Sequence, residues 1–148
     1  WGRAWSIGHA TAKECDALGM ADAQRLAARR ALDGLGLDPG VALLDGSWSF
    51  VDGIPVRMIV KGDARCLSIA AASILAKVTR DRMMRSDSLD YPHWWFASNK
   101  GYPAPRHVAS LHGFGPSAIH RRSWVFMDGL EWNGLSRLER DGGQSRLF

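Results

Sequence analysis

The chain has 148 residues, 46% hydrophobic and 23% charged, with a net charge of +4. This is room for one modest core and too little for two independent domains, and the composition is that of a globular protein. No membrane span and no secretion signal is expected: the apolar stretch Ile69–Ala76 is interrupted by Ser73, and no basic segment leading into an apolar run opens these residues.

Taken in chain order, RAWSIGH at 3–9 alternates loosely and predicts a strand. TAKECDALGM at 11–20 predicts a turn or short helix. From Ala21 to Leu35 the apolar residues Leu26, Ala27, Ala31 and Leu35 recur at helical spacing, with Arg25, Arg29 and Arg30 outside. Gly36 serves as the stop and LDPG as a turn. VALLD at 41–45 is a continuous apolar run ending in an acid, the pattern of a buried parallel strand. VRMIV at 56–60 is a second such run, closed by Lys61, Gly62 and Asp63. A helix starts between Ala64 and Ser68 and runs to about Ser86. From Tyr91 the chain turns aromatic and irregular, with a shorter helix near 105–112, and HRRSW at 120–124 closes the ordered part. The order of elements indicates an α/β layer architecture. Residues 1–127 are expected to form the folded part and 128–148 a mobile tail.

Cys15 and Cys66 match no zinc spacing and form no disulfide framework, so both are expected as reduced thiols of a cytoplasmic protein. Charge is unevenly spread. Residues 61–122 hold ten Lys and Arg against four Asp, while the rest of the chain is slightly acidic. Such a segment suits either a polyanion partner or a solvated surface.

In the helix after Asp63, Ala70, Ala71, Ala72, Ser73 and Ala76 are small on every side, as for close packing on a sheet. Ser73, Lys77, Asp81 and Met84 form the other stripe, with Arg80 beside them. Asp81 is spaced to pair with Lys77 or with Arg85. Asp63 alone reads as an acid at a helix mouth, and Asp45 alone as a polar strand end. Together they put two carboxylates at the carboxyl edge of a sheet, where open α/β sheets bind ligands. Beside basic residues, such a pair suits a hard divalent cation that also takes phosphate oxygens.

LLDG, KGDARCLSIAAASILAKVTRD, NKGYP and HRRSW, in this order, resemble bacterial ribonuclease HII over roughly residues 1–125. The resemblance implies a ribonuclease H-like mixed sheet with flanking helices and a helical C-terminal part. It implies cleavage of the RNA strand of RNA/DNA hybrids, and of duplex DNA 5′ to a single embedded ribonucleotide. Hydrolysis would use two divalent ions, Mg²⁺ or Mn²⁺. Asp45 and Asp63 match two of the family's four metal-binding acids. The other two form an Asp-Glu pair in a DE-x-GRG segment that these residues do not contain; the upstream acids Glu14, Asp16, Asp22, Asp33 and Asp38 lie in other contexts. By motif order, the family's first two strands are missing from the sequence, so the chain alone is expected to fold poorly and to lack cleavage.

Tyr102 corresponds to the tyrosine that stacks on the sugar at the RNA–DNA junction, where a 2′-hydroxyl must be read. Asn99 stands where the family often has His, so that position is expected to be inessential. Lys77, Arg80 and Lys100 are candidate substrate contacts, the first two either holding phosphates or solvating a helix. His120, Arg121 and Arg122 either contact the nucleic-acid backbone or brace the fold. Trp94 and Trp95 are expected in packing. Gln144, Leu147 and Phe148 are similar to peptides that dock on the bacterial sliding clamp. The protein is expected to be a monomer. The competing reading is a catalytically incomplete fragment or pseudo-enzyme that only binds nucleic acid; a phosphate-binding enzyme of another fold is disfavoured by the lack of a GxxxxGK loop.

Overall fold

The structure, a computed structural model, describes residues 2–130. Helix α1 spans Ala12–Asp33 and is broken at Gly19, whose φ of 77° and ψ of 166° lie outside the helical region. Thr11 and Glu14 start it with a reciprocal capping box: the Thr11 hydroxyl accepts from the Glu14 amide at 3.2 Å, and the Glu14 carboxylate accepts from the Thr11 amide at 2.8 Å. Glu14 also pairs with Arg30 at 2.7 Å. In a straight helix those residues would stand about 24 Å apart, so the break at Gly19 folds the two halves of α1 towards each other.

Strands β1 (Ala42–Asp45) and β2 (Val56–Ile59) form a two-stranded parallel sheet with Asp45 opposite Ile59. After β2, α2 (Gly62–Arg65) and α3 (Leu67–Asp90) follow, separated only by Cys66 in extended conformation. A 3-10 turn at Pro92–Trp94 leads to α4 (Phe96–Asn99), α5 (Pro105–Phe114) and a final 3-10 turn at Val125–Gly129.

The main apolar cluster lies in the C-terminal part, not on the sheet. Leu111, Met127 and Leu130 are buried there, with Trp94, Trp124 and Phe126 packed around them. The packed cluster includes Leu130, the last described residue.

Four expectations are corrected. Residues 3–9 form no strand; they run along α1, with Gly8 against Ala27 and Ala31, and find no strand partner among the described residues. The strands are not buried runs: Leu44 is covered, but Leu43, Met58 and Val60 are exposed. Parallel sheets normally bury both faces, and here no helix among the described residues covers Leu43, Met58 and Val60. For the same reason the small-sided start of α3 packs tightly only at Ile69, and Ile74, Leu75 and Val78 stay exposed. α3 also continues past Ser86, to Asp90.

Among the described residues both cysteines are free, and burial raises the Cys15 thiol above its ordinary 9.0. No helix among them is long and apolar enough to cross a membrane.

Candidate metal and nucleic-acid site

The parallel register of β1 and β2 brings their carboxyl ends to the same level, and the Gly46 amide donates to the Ile59 carbonyl at 3.1 Å. Lys61, with φ of 54° and ψ of 45°, then turns the chain back over that edge. Its turn aims the Gly62 amide at Asp45, whose Oδ1 accepts it at 2.7 Å. Gly62 is buried, and a Cβ there would meet Ile69 Cδ1 at 2.7 Å and the Asp45 Cα at 3.4 Å. The glycine of KGD thus lets α2 sit close on the end of β1, with the tip of Ile69 against it.

Asp63 is the next residue, in the first turn of α2 and not on the strand itself; its Oδ1 accepts from the Ala64 amide at 2.9 Å. Both carboxylates are exposed. The edge therefore carries two acids, one held by the backbone amide that precedes the other. Two carboxylates supply part of the oxygen shell of a hard divalent cation. Among the described residues no group of three or more His, Cys, Asp or Glu is placed to hold a metal. Of the upstream acids, Glu14 is occupied by Thr11 and Arg30, Asp22 pairs with Arg25 at 2.8 Å, and Asp16 accepts the amides of Arg122 and Ser123 at 2.9 and 2.7 Å.

A second group gathers where α3 meets α4 and the loop after it. Lys77 pairs with Asp81 at 3.2 Å, which decides between the two spacings open to that acid. Arg80 reaches the Lys100 carbonyl at 3.4 Å, and its guanidinium lies beside Gly101. Lys100 has φ of 53°, and its ammonium turns back to the Ala97 carbonyl. Tyr102 is 64% exposed, so its ring is open to a partner. The loop beneath it is fixed by Asn99, which is buried: Nδ2 donates to the Trp94 carbonyl and Oδ1 accepts from the Gly101 amide, both at 2.7 Å.

The structure joins Arg80, Lys100 and Tyr102 in one region. It places Arg121 and Arg122 elsewhere, against α1, where the Arg121 guanidinium contacts the Met20 sulfur and the Arg122 amide binds Asp16. His120 braces the fold in a buried cluster with His107. Trp94 packs in the core and donates to the Gly115 carbonyl at 2.8 Å, whereas Trp95 is half-exposed with Arg106 over its ring at 4.8 Å. Gln144, Leu147 and Phe148 lie outside the described residues. Sequence reasoning missed the bracing by Asn99, His107, Ser117 and Asp16. The Thr11-x-x-Glu14 pattern was a visible capping signal, but the contacts of His107 with His120 and of Asp16 with Arg122 and Ser123 join residues with no local pattern.

The class set by this arrangement is an α/β unit with an acidic sheet edge and a basic loop bearing an exposed tyrosine. Residues 7–127 match the family described as Ribonuclease HII. The chain is 44% identical over 141 residues to the Ribonuclease HII of Streptomyces avermitilis and 45% identical over 141 residues to that of Streptomyces coelicolor, alignments that cover 93% of this chain and 60% of each relative. It is 46% identical over 121 residues to the Ribonuclease HII of Caulobacter vibrioides, covering 82% of this chain and 57% of that relative. The chain belongs to the ribonuclease HII family. It spans about 60% of the length of the curated relatives it matches.

Proposed function

We propose that this chain is the greater part of a metal-dependent endoribonuclease. Its substrates are the RNA strand of RNA/DNA hybrids and duplex DNA with a single embedded ribonucleotide, cut on the 5′ side. The observation that carries the reading is the hydrogen bond from the Gly62 amide to Asp45 at 2.7 Å, which sets the strand-end acid beside the residue before Asp63. Asp45 and Asp63 would hold Mg²⁺ or Mn²⁺. Two such ions, when bound, supply Lewis-acid polarisation of the phosphodiester and a water of lowered pKa. Four acids are the sensible count for two ions, so cleavage also needs an Asp-Glu pair in a DE-x-GRG context, which the 148 residues do not contain.

Arg80 and Lys100 contribute positive charge beside Tyr102, whose exposed ring suits stacking on a sugar. Lys77 adds phosphate attraction from the same helix. Arg121 and Arg122 act at a separate stretch of the nucleic-acid backbone. The protein works as a cytoplasmic monomer, in keeping with two free cysteines. Gln144, Leu147 and Phe148 dock on a sliding clamp; deletion of 144–148 should abolish clamp binding, and unchanged binding ends that part.

The test uses the longest natural chain that contains this sequence. Asp45→Asn and Asp63→Asn should each reduce cleavage of both substrates by at least about 100-fold and weaken Mn²⁺ binding, with the fold retained. Undiminished cleavage by either variant rejects the assignment.

A further inference from the structure

The loop that carries Tyr102 rests on a line of hydrogen bonds that runs through two imidazoles. His107, 1% exposed, places Nδ1 at 2.8 Å from the Tyr102 carbonyl oxygen. Its Nε2 lies 2.9 Å from His120 Nε2. The other nitrogen of His120, Nδ1, faces the Ser117 amide at 2.9 Å and the Ser117 hydroxyl at 2.7 Å.

The protons on this line are fixed by what stands at its ends. A carbonyl oxygen only accepts, so His107 Nδ1 must carry a hydrogen. A backbone N–H only donates, so His120 Nδ1 must be bare. A neutral His107 with its hydrogen on Nδ1 has a free lone pair on Nε2. A neutral His120 with a bare Nδ1 has its hydrogen on Nε2. The Nε2–Nε2 contact then holds one hydrogen, donated from His120 to His107. Both rings are then neutral, the Ser117 amide and hydroxyl share the single Nδ1 lone pair of His120, and every bond points from Ser117 towards Tyr102.

The surroundings favour that state. Phe96 stands edge-on to His107 at 5.5 Å and tilted over His120 at 5.2 Å, and Trp94 lies 6.0 Å from His120. Arg122, a cation near His120, opposes a second positive charge there. Adding a proton to either ring would set two donors against each other.

We propose that His107 and His120 are positioning residues, a neutral two-histidine relay that fixes the Tyr102 backbone and so sets its ring against the ribose of the substrate. This rests on the role given to Tyr102 above. The relay acts through the Tyr102 carbonyl and touches neither substrate nor metal. It also connects α5, which carries His107, to the segment that carries Arg121 and Arg122.

The test is made in the longest natural chain that contains this sequence, labelled with ¹⁵N-histidine. At pH 7, long-range ¹H–¹⁵N spectra should show the hydrogen of His107 on Nδ1 and that of His120 on Nε2. Two Nε2–H rings, or a charged ring, overturn the relay without reference to activity. In kinetics, His120→Leu should lower kcat/KM on duplex DNA with one ribonucleotide by about tenfold. His120→Gln, which keeps a donor near the position of Nε2, should recover most of that loss. Tyr102→Ala combined with His120→Leu should cost no more than Tyr102→Ala alone. Additive losses overturn the positioning role. If Tyr102→Ala alone leaves cleavage intact, the role of Tyr102 fails and the positioning role with it, while the spectra still judge the proton pattern. If His120→Leu does not fold, His120→Gln and the unaltered protein's spectra decide.

Discussion

Asp45 and Gly62 are joined across the end of the sheet: the carboxylate of the first accepts the amide of the second at 2.7 Å, and a side chain on the second would have to displace the tip of Ile69. The strand-end acid is therefore oriented by the start of α2, and α2 is seated by the acid. A change at Gly62 must disturb both.

Gly62→Ala should push the new methyl group onto Ile69 Cδ1, 2.7 Å from the ideal Cβ position. The Ile69 tip can shift to relieve the contact, so the cost should be about 1 kcal/mol, the low end for overpacking. Part of the strain is relieved by moving the Gly62 amide off Asp45, so Mn²⁺ affinity should fall as well. Calorimetric metal titration and urea unfolding of the same variant check both effects. A variant as stable as the parent, with the same affinity, would show that the acid is not held by this contact.

Asn99 was expected to be inessential because its identity departs from the family's usual residue. The structure gives it a bracing role, with one bond to the Trp94 carbonyl and one to the Gly101 amide. Asn99→Ala strands buried backbone groups, and the loss should be about 2 kcal/mol. Amide exchange in residues 99–104 should accelerate, and cleavage that depends on Tyr102 should weaken. Unchanged exchange in that loop would place its rigidity elsewhere.

Much of the fold was legible because it rests on local signals. The apolar runs at 41–45 and 56–60 gave both strands to within a residue or so, and Pro105 opens the helix expected near it. The shared carboxyl end of the parallel strands was legible too, whereas the turn at Lys61 that puts Asp63 in α2 and not on the strand was not. What was not legible depends on neighbours distant in sequence. RAWSIGH alternates like a strand, but a strand exists only when another backbone pairs with it. The strands look like buried runs, but burial requires covering layers, and Met58 is 51% exposed. The link from Ser117 through His120 and His107 to Tyr102 has no sequence period, because it is built from three separate segments.

The histidine relay also predicts a pH response. Burial first, then the neighbouring His107 and Arg122, lowers the His120 pKa from 6.5 to about 4. In the unfolded chain the ring titrates near 6.5. Between those values the unfolded state takes up a proton that the folded state refuses, so stability falls as the solution is acidified. One pH unit corresponds to about 1.4 kcal/mol. Partial exposure of the ring reduces the total to about 2 kcal/mol. Glu14 acts in a lower window: Arg30 and then Thr11 hold it at about 2, so its contribution is present above 4.5 and is lost as pH falls through about 2. Urea unfolding between pH 7 and 4.5 should show a steeper loss in the parent than in His120→Gln. Equal slopes would mean that His120 is protonated in the folded state.

Asp16 ties the two ends of the described chain together. Its two oxygens accept the Arg122 and Ser123 amides at 2.9 and 2.7 Å, more than a hundred residues away in sequence. Hydrogen bonds to a charged acceptor are stronger than neutral ones. Asp16→Ala should therefore destabilise the protein by about 2 kcal/mol, and Asp16→Asn, which keeps one acceptor oxygen, by less. The segment freed by the change carries Arg121 and Arg122. If those arginines contact nucleic acid, KM should rise and the salt dependence of binding should flatten, with kcat and Mn²⁺ affinity unchanged, because the carboxyl edge at Asp45 and Asp63 shares no contact with Asp16. A fall in kcat with KM unchanged would instead tie this brace to the catalytic edge and remove the nucleic-acid role assigned to the two arginines.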